Sequence, residues 1–317
     1  MSELSNLFKK CFLFILLKTP NLKILSDNTA LKIQKFFRKY YSHKVKLSDI
    51  ELPFNTNNKN LVNEAKQIVS DYGLVILKNF TDREVTKLNG QNILDFINSK
   101  YLYLDSDYHE FEDGSVMQRE PYKIKGYDSF LDKNSTLINI RGRKNFDELV
   151  GDDSGLIDIF HVKKVLPTES KKTIEDFEKD KVLGEILRKI NKKLNFKSVN
   201  FYFNKGKTDP RGLHIDTPTR EFKLFLYLTD VNDSSDGPYT FVPKSNKRTY
   251  VSLLNMIVNK FSSSKFKLTD MNFCDDSQAL KILGNAGDLI ISNQSAAHGG
   301  TVQDQDSSRL ILVGIVH

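Results

Sequence analysis

The chain has 317 residues and a formal net charge of +7, with 39% apolar and 27% charged residues. That apolar share is enough to fill a core, which excludes wholesale disorder. The apolar runs fall short of the roughly 18 to 20 residues that a membrane-spanning helix needs. Its two cysteines, Cys11 and Cys274, cannot form a disulfide framework or a cysteine-rich zinc site, so we expect a reducing, cytoplasmic setting.

The positive charge is confined to the first 50 residues. That segment holds ten Lys/Arg and three Asp/Glu, whereas the other 267 residues hold 37 of each. A neutral main body offers no electrostatic footprint for a nucleic acid, which binds basic proteins through its phosphates. We therefore expect no nucleic-acid partner and treat the basic segment as a separate feature.

An amphipathic helix is predicted within this basic segment, over residues 29–43. One face carries Ile33, Phe36, Phe37, Tyr40 and Tyr41, and the others carry Lys32, Lys35, Arg38 and Lys39. The favoured interpretation is that the aromatic face packs on the main body. The alternative is a weak peripheral contact of residues 1–50 with an anionic membrane, or with a groove on a partner. Residues 1–55 are accordingly assigned to a basic helical extension.

The main body, residues 61–317, begins with helices and ends in strands. Helices are predicted at 61–70, 81–99 (with Thr81 as its cap) and 172–194, and strands at 73–77, 198–204, 222–229, 239–242, 288–292 and 309–316. Residues 101–160 show little periodicity and are rich in Asp, Gly and Tyr, which is typical of long functional loops. Helices followed by strands predict an α+β chain whose second half is a β-sandwich or barrel.

Three side chains in the second half form a candidate metal site. His214 and Asp216 stand two residues apart, so in an extended chain their side chains point the same way and can reach a common point. His298 comes soon after the predicted strand 288–292. Two histidines and one carboxylate make a facial triad, which leaves three positions open on an iron(II) ion. A closed structural zinc site would need a fourth ligand, which the neighbouring sequence does not offer.

Arg309 is the fourth candidate, eleven residues after His298 and at the start of the last predicted strand. A planar guanidinium is the natural partner of a carboxylate held by two contacts. Beside the proposed triad, it is placed to bind the far carboxylate of a keto-diacid. An isolated arginine at a strand end would instead be interpreted as a solvated charge.

With these residues the chain resembles the phytanoyl-CoA dioxygenase-like branch of iron(II)/2-oxoglutarate oxygenases over about residues 61–317. The matching motifs are Tyr72-Gly-Leu-Val-Ile-Leu77, His214-x-Asp216, Tyr227-Leu-Thr-Asp-Val231, the Gly237–Ser245 segment, Gly287-Asp288, His298 and Arg309. The resemblance implies a double-stranded β-helix core of the jelly-roll or cupin type, flanked by helices. The chain departs from the family pattern at Gly300, where a serine is common, and at Asn246, where a histidine is common.

By that resemblance, His214, Asp216 and His298 ligate Fe(II), and Arg309 binds the 5-carboxylate of the cosubstrate 2-oxoglutarate. Tyr227 stands where the family often has an aromatic residue against the cosubstrate, and Thr217 is a candidate hydroxyl partner. The implied activity is O2-dependent hydroxylation of a small molecule, with release of succinate and CO2. A protein side-chain hydroxylase and a non-catalytic ligand-binding protein on the same fold are the alternatives.

Under the same resemblance, Asp216 distinguishes hydroxylation from halogenation, and Ile315 bears on whether the substrate is a nucleic acid. Related halogenases have a small residue in place of Asp216, so the carboxylate favours hydroxylation. The nucleic-acid demethylase branch carries a second arginine six residues after the first, and here that position is Ile315. This difference argues against a role in DNA or RNA repair.

Overall fold

A computed structural model describes the chain over most of its length. The described residues are 23–41, 45–101, 108–119 without 113 and 115, 136–140, 156–206 without 162, 164 and 165, 209–218, 221–247, 249–262 and 267–316, together with residues 11, 15, 16 and 18. Much of the predicted loop region 101–160 therefore lies outside the described residues. Among the described residues, no helix combines the length and apolarity needed to cross a membrane.

The elements follow the predicted order, with helices concentrated before the main run of strands. The helices are α1 Asp27–Arg38, α2 Leu61–Tyr72, α3 Arg83–Tyr101, α4 Thr168–Lys179, α5 Lys181–Ile190 and α6 Thr249–Phe261. The strands are β1 Glu51–Pro53, β2 Leu74–Lys78, β3 Tyr108–Glu110, β4 Val116–Arg119, β5 Leu137–Ile140, β6 Ile157–Phe160, β7 Phe196–Lys205, β8 Phe222–Tyr227, β9 Tyr239–Phe241, β10 Leu280–Ile282, β11 Leu289–Asn293, β12 His298–Gly299 and β13 Ser308–Val316.

These strands form two sheets. The large sheet has the order β1-β2-β11-β8-β13-β7-β6-β5-β4-β3, and the small sheet has the order β10-β9-β12. Most described pairs are antiparallel, while β1–β2 and β4–β5 are parallel. A mainly antiparallel two-sheet architecture is consistent with the predicted double-stranded β-helix.

The central strand β8 of the large sheet is buried on both faces, and the alternation of its side chains explains how. In β8, Leu224 and Leu226 belong to the apolar cluster shared with the helices, whereas Phe225 and Tyr227 belong to the cluster shared with the small sheet. Successive side chains of a strand point to opposite faces. The inner face, which the small sheet covers, is therefore the face on which a site between the two sheets must be built.

Two helix predictions need correction. The predicted helix 172–194 is two helices, α4 and α5, because Asp180 has an extended ψ of 122° and its carboxylate accepts a hydrogen bond from the Leu183 amide at 2.6 Å. This is an N-cap, which begins a new helix. The cap of α3 is Asp82 rather than Thr81, since Asp82 Oδ1 accepts from the Val85 amide at 2.9 Å. Helix α6 was not predicted.

The N-terminal helix α1 packs on the main body through its aromatic face. The Phe37 ring lies parallel to the Phe273 ring, with centroids 4.9 Å apart, and Arg38 forms an ion pair of 2.8 Å with Asp275. Tyr41 is fully buried, whereas Phe36 is 53% exposed. These contacts agree with the favoured interpretation of the basic segment. Strand β1, which falls inside the predicted extension 1–55, is part of the large sheet.

Candidate metal centre

The two candidate histidines lie side by side because their main chains are paired. The amide of His214 donates to the carbonyl of His298 at 2.8 Å, and the reverse hydrogen bond is 2.9 Å long. On its other side, the His214 segment is bonded to residues 269–271. Both histidines are buried, and their ring centroids are 4.4 Å apart. Secondary structure therefore brings the two imidazoles together across 84 residues of chain.

Each imidazole is oriented by a hydrogen bond to a carbonyl two residues before it. Nδ1 of His214 bonds the Gly212 carbonyl at 2.8 Å, and Nδ1 of His298 bonds the Ala296 carbonyl at 2.9 Å. A carbonyl only accepts, so Nδ1 carries the proton in both rings. The Nε2 atoms are left with free lone pairs, which is the arrangement of metal-binding histidines.

Asp216 completes the group. Its Oδ1 lies 3.5 Å from Nε2 of His214 and 3.6 Å from Nε2 of His298. One ligand atom from each of the three residues lies within 4.8 Å of the ligand atoms of the other two. Two imidazole nitrogens and one carboxylate oxygen suit a divalent first-row metal such as iron(II). The donor set therefore fits the predicted metal.

The protonation states also suit a cation. Burial alone would raise the pKa of Asp216, but the charge of the Lys223 ammonium, which donates a hydrogen bond to its carboxylate at 2.7 Å, favours the ionised form and holds that pKa below its ordinary value. Burial, followed by the neighbouring His214, lowers the pKa of His298. Near neutral pH the carboxylate is therefore ionised and the His298 imidazole is neutral, as metal ligation requires.

The Gly287-Asp288 pair positions β11, the strand before His298. Gly287 has a φ of +93°, and a Cβ there would lie 2.5 Å from the Thr81 carbonyl oxygen, so this turn requires glycine. Asp288 is fully buried and accepts hydrogen bonds from the amides of Asn79 and Asn285 and from Lys78. The pair thus fixes the backbone of the turn that leads into β11.

A cavity of about 150 Å³ adjoins the three candidate ligands. Its wall also includes Tyr202, Asn204, Lys223, Phe225, Tyr239 and Arg309. Arg309 is 7% exposed, donates through Nη1 to the Gly237 carbonyl, and pairs across β13 and β7 with Asn204. The Asn204 side chain is 3% exposed, and its Oδ1 has no hydrogen-bond partner among the described residues. A buried amide without its partner indicates that a polar ligand or water belongs in the cavity.

The other two predicted site residues are placed differently. Tyr227 is buried in the core with its hydroxyl donating to the Ile282 carbonyl at 2.8 Å, and it does not line this cavity in the described structure. Thr217 is half-buried and is likewise not on the cavity wall. One aromatic residue beside the metal group is Tyr239, whose ring centroid is 5.7 Å from that of His298. Its hydroxyl is hydrogen-bonded to the Ser292 hydroxyl at 3.0 Å.

Sequence reasoning missed Lys223, Asn204 and Tyr239. Each lies on a predicted strand, so its position was known to be extended. Period-2 alternation could have placed Lys223 on the same face as Phe225 and Tyr227. Alternation could not show which end of β8 faces the metal group, and the structure places Lys223, at the start of that strand, on the cavity wall.

Comparisons with known proteins concern the fold. No protein-family profile matches the chain, and no curated protein matches it. Among solved structures, it is similar to the non-heme alpha-ketoglutarate-dependent carbocyclase SnoK from nogalamycin biosynthesis, with 14% identity, a TM-score of 0.51 and coverage of 84% of this chain and 86% of SnoK. The epimerase SnoN from the same biosynthesis has 10% identity, a TM-score of 0.46 and coverage of 81% and 82%.

A further similar structure is HygX from Streptomyces hygroscopicus, solved with nickel and 2-oxoglutarate bound. It has 11% identity, a TM-score of 0.44 and coverage of 79% of this chain and 84% of HygX. At these identities the likeness shows a shared fold, and the SnoK match, which spans most of both chains, is the one that carries this conclusion.

Proposed function

We propose that the chain is an iron(II)- and 2-oxoglutarate-dependent oxygenase that hydroxylates a small molecule and releases succinate and CO2. The observation that carries the proposal is the convergence of His214, Asp216, His298 and Arg309 on one cavity. Folding alone does not require three metal-type donors beside a buried guanidinium. We assign the activity to residues 61–317 and place the chain within the phytanoyl-CoA dioxygenase-like branch. We propose a reducing cytoplasm as its cellular setting.

In this proposal each residue has a distinct role. His214, Asp216 and His298 hold Fe(II), which together with 2-oxoglutarate and O2 supplies the oxidising chemistry. Arg309 binds the 5-carboxylate of 2-oxoglutarate in a largely water-excluded position, where a charge-assisted contact is strongest. The aromatic walls exclude water from the remaining space. The cosubstrate contacts of Tyr227 and Thr217 stay predictions, and neither side chain is on the wall of the described cavity.

Hydroxylation is favoured by the intact Asp216, since a carboxylate ligand occupies the position that a halide would need. A small-molecule substrate is proposed from the family resemblance, and the cavity of about 150 Å³ next to the candidate ligands is of a size that suits 2-oxoglutarate. A nucleic-acid substrate is disfavoured because residues 51–317 carry equal numbers of basic and acidic side chains.

The test is 2-oxoglutarate turnover in the purified protein supplied with Fe(II), ascorbate and O2. Many oxygenases of this kind consume the cosubstrate slowly without substrate, so we expect slow succinate release from the wild type and none from His214→Ala. The matched control is His161→Asn, since His161 has a positive φ of 56° that asparagine tolerates, and it does not line the cavity.

Succinate release at the same rate from the wild type and His214→Ala would refute the assignment of the metal site. If the wild type binds Fe(II) but releases no succinate alone or with any compound of a metabolite screen, the chain is a ligand-binding protein on this fold. Turnover that appears only with added peptides or proteins would identify a side-chain hydroxylase.

A further inference from the structure

The two carboxylate oxygens of Asp216 face different partners. Oδ1 faces the two histidine Nε2 atoms at 3.5 and 3.6 Å, whereas Oδ2 accepts a hydrogen bond from the Lys223 ammonium at 2.7 Å. The Lys223 side chain is 19% exposed and that of Asp216 is 24% exposed. A charge-assisted contact of this length in a mostly buried setting is stronger than an exposed ion pair.

The lysine and the aspartate are held on one frame of main-chain hydrogen bonds. Asp216 donates its amide to the Gln294 carbonyl at 3.1 Å, and Gln294 donates its own amide to the Glu221 carbonyl at 2.8 Å. Lys223, two residues further on, is paired in register with Ser292 of β11 and Ile315 of β13. Their contact therefore starts from fixed backbone positions rather than from a mobile loop.

We propose that Lys223 is a positioning residue that restricts Asp216 to a single metal-ligating oxygen, Oδ1. A carboxylate can bind a cation through one oxygen or through both. An oxygen that accepts a hydrogen bond from an ammonium is engaged elsewhere, and the ammonium repels a cation that approaches it.

The consequence lies in the number of open coordination positions. Three ligand atoms from the protein leave three positions of an octahedral ion for other groups. Those three are needed if 2-oxoglutarate takes two and O2 takes one, as the proposed function requires. A second oxygen from Asp216 would remove one of them. This inference rests on the proposed function, but it concerns a property that can be measured without turnover.

The experiment uses Mn(II) as the probe and compares the wild type with Lys223→Met, Lys223→Arg and Lys197→Met. Lys223→Met removes the ammonium at similar length, Lys223→Arg keeps a cationic donor, and Lys197→Met makes the same change at an exposed position of β7. The waters bound to Mn(II) are counted by electron spin-echo measurements in D2O, and the affinities for Mn(II) and 2-oxoglutarate are measured by titration.

For Lys223→Met we expect one fewer bound water than in the wild type and Mn(II) affinity that is equal or up to about tenfold higher, since a repelling charge has gone. The 2-oxoglutarate affinity should fall about tenfold or more, because a coordination position has been lost. Lys223→Arg and Lys197→Met should keep the wild-type water count.

Two results would overturn the inference. One is an unchanged water count in Lys223→Met, which would show that Asp216 binds through one oxygen without the lysine. The other is weaker Mn(II) binding in both Lys223→Met and Lys223→Arg, which would mark a structural role. Failure of the wild type itself to bind Mn(II) would instead refute the proposed function, so the two failures are distinguishable.

Discussion

His214 and His298 are hydrogen-bonded to each other through both of their amides and both of their carbonyls. The pairing belongs to the main chain, so it does not need either imidazole. The His214 segment is also bonded to residues 269–271 on its other side. The metal group is therefore preformed by the fold, and a metal would bind to it without assembling it.

We first predict that a metal stabilises the wild type but not His214→Ala. A cation at about 100 times its Kd should add about 2.7 kcal/mol to the free energy of unfolding, which corresponds to a Tm rise of several degrees. In EDTA the variant should lose only about 1 kcal/mol, chiefly through the hydrogen bond to the Gly212 carbonyl. Thermal melting with and without Mn(II) measures both quantities. An equal Tm rise in the variant would show that Mn(II) binds elsewhere.

Arg309 gives the second prediction, which concerns 2-oxoglutarate and not the metal. Replacing it by alanine should weaken 2-oxoglutarate binding by about 2–4 kcal/mol, or roughly 30- to 1,000-fold, because a buried two-point contact with a carboxylate is lost. Arg309→Lys should recover only part of this loss, since an ammonium lacks the planar fork. Mn(II) affinity should stay within about twofold of the wild type.

The measurement is a titration of 2-oxoglutarate into the Mn(II)-loaded protein. Arg188→Ala, which removes an exposed arginine of α5, is the control for a general change in charge. An unchanged Kd for 2-oxoglutarate in Arg309→Ala would mean that this guanidinium serves only its structural bond to the Gly237 carbonyl.

The pairing of His214 with Asp216 was predicted because its signal is local: the His-x-Asp spacing on extended chain places both side chains on one side. His298 has no such local link to them, and the structure brings it to the pair through main-chain hydrogen bonds with His214. Lys223 and Asn204 depended on pairing between distant segments: Lys223 is set by its register with Ser292, and Asn204 by its register with Arg309. Local periodicity does not determine strand registers of this kind.

The break between α4 and α5 shows a different limit. Apolar residues continue at helical spacing through Asp180, so the pattern predicts one helix over 172–194. Only the side-chain cap on the Leu183 amide reveals the second start. An aspartate within a charged helix looks like a solvated side chain until its hydrogen bond is known.

A third prediction concerns acid stability and Asp230, which follows β8 in the Tyr227–Val231 motif. Its carboxylate contacts Arg83 and Lys87 of α3, both at 2.8 Å, and accepts from the Ala286 amide at 2.9 Å. Burial alone would raise the pKa of Asp230, but these three contacts outweigh burial and hold that pKa below its ordinary value. The contact joins the start of α3 to the turn before β11.

The lowered pKa of Asp230 determines how its contribution to stability changes with pH. The unfolded chain binds the proton more readily, so the contribution of Asp230 is fully present above its unfolded pKa of about 3.9 and is lost as pH falls towards the folded value. Asp230→Asn should therefore cost about 1–3 kcal/mol at pH 7 and about 1 kcal/mol less at pH 3, because pH 3 lies about one unit below the unfolded pKa. Urea unfolding at both pH values tests this, with the exposed Asp209→Asn as control. A cost that does not shrink with acidification would contradict the ionic origin.

The last prediction concerns the N-terminal helix α1 and separates its two neighbouring phenylalanines. Phe37 is half-buried against Phe273, whereas Phe36 is 53% exposed. Phe37→Ala should lower the free energy of unfolding by about 1–3 kcal/mol, because it removes packed apolar surface and a ring stack. Phe36→Ala, the matched control, should change it by less than about 0.5 kcal/mol.

The effect of Phe37→Ala should also reach the metal site. Phe273 lies two residues beyond Met271, whose amide donates to the Leu213 carbonyl at 2.7 Å, and the Thr269 carbonyl accepts from the Ile215 amide. Loosening this segment removes support from residues 213–216, so we expect Mn(II) affinity to fall severalfold in Phe37→Ala and to stay unchanged in Phe36→Ala. If a peripheral membrane contact exists, the exposed Phe36 and its basic neighbours would make it. Co-sedimentation with anionic vesicles should then weaken in Phe36→Ala. For the packing prediction, equal effects of the two substitutions on the free energy of unfolding would show that α1 does not pack through Phe37.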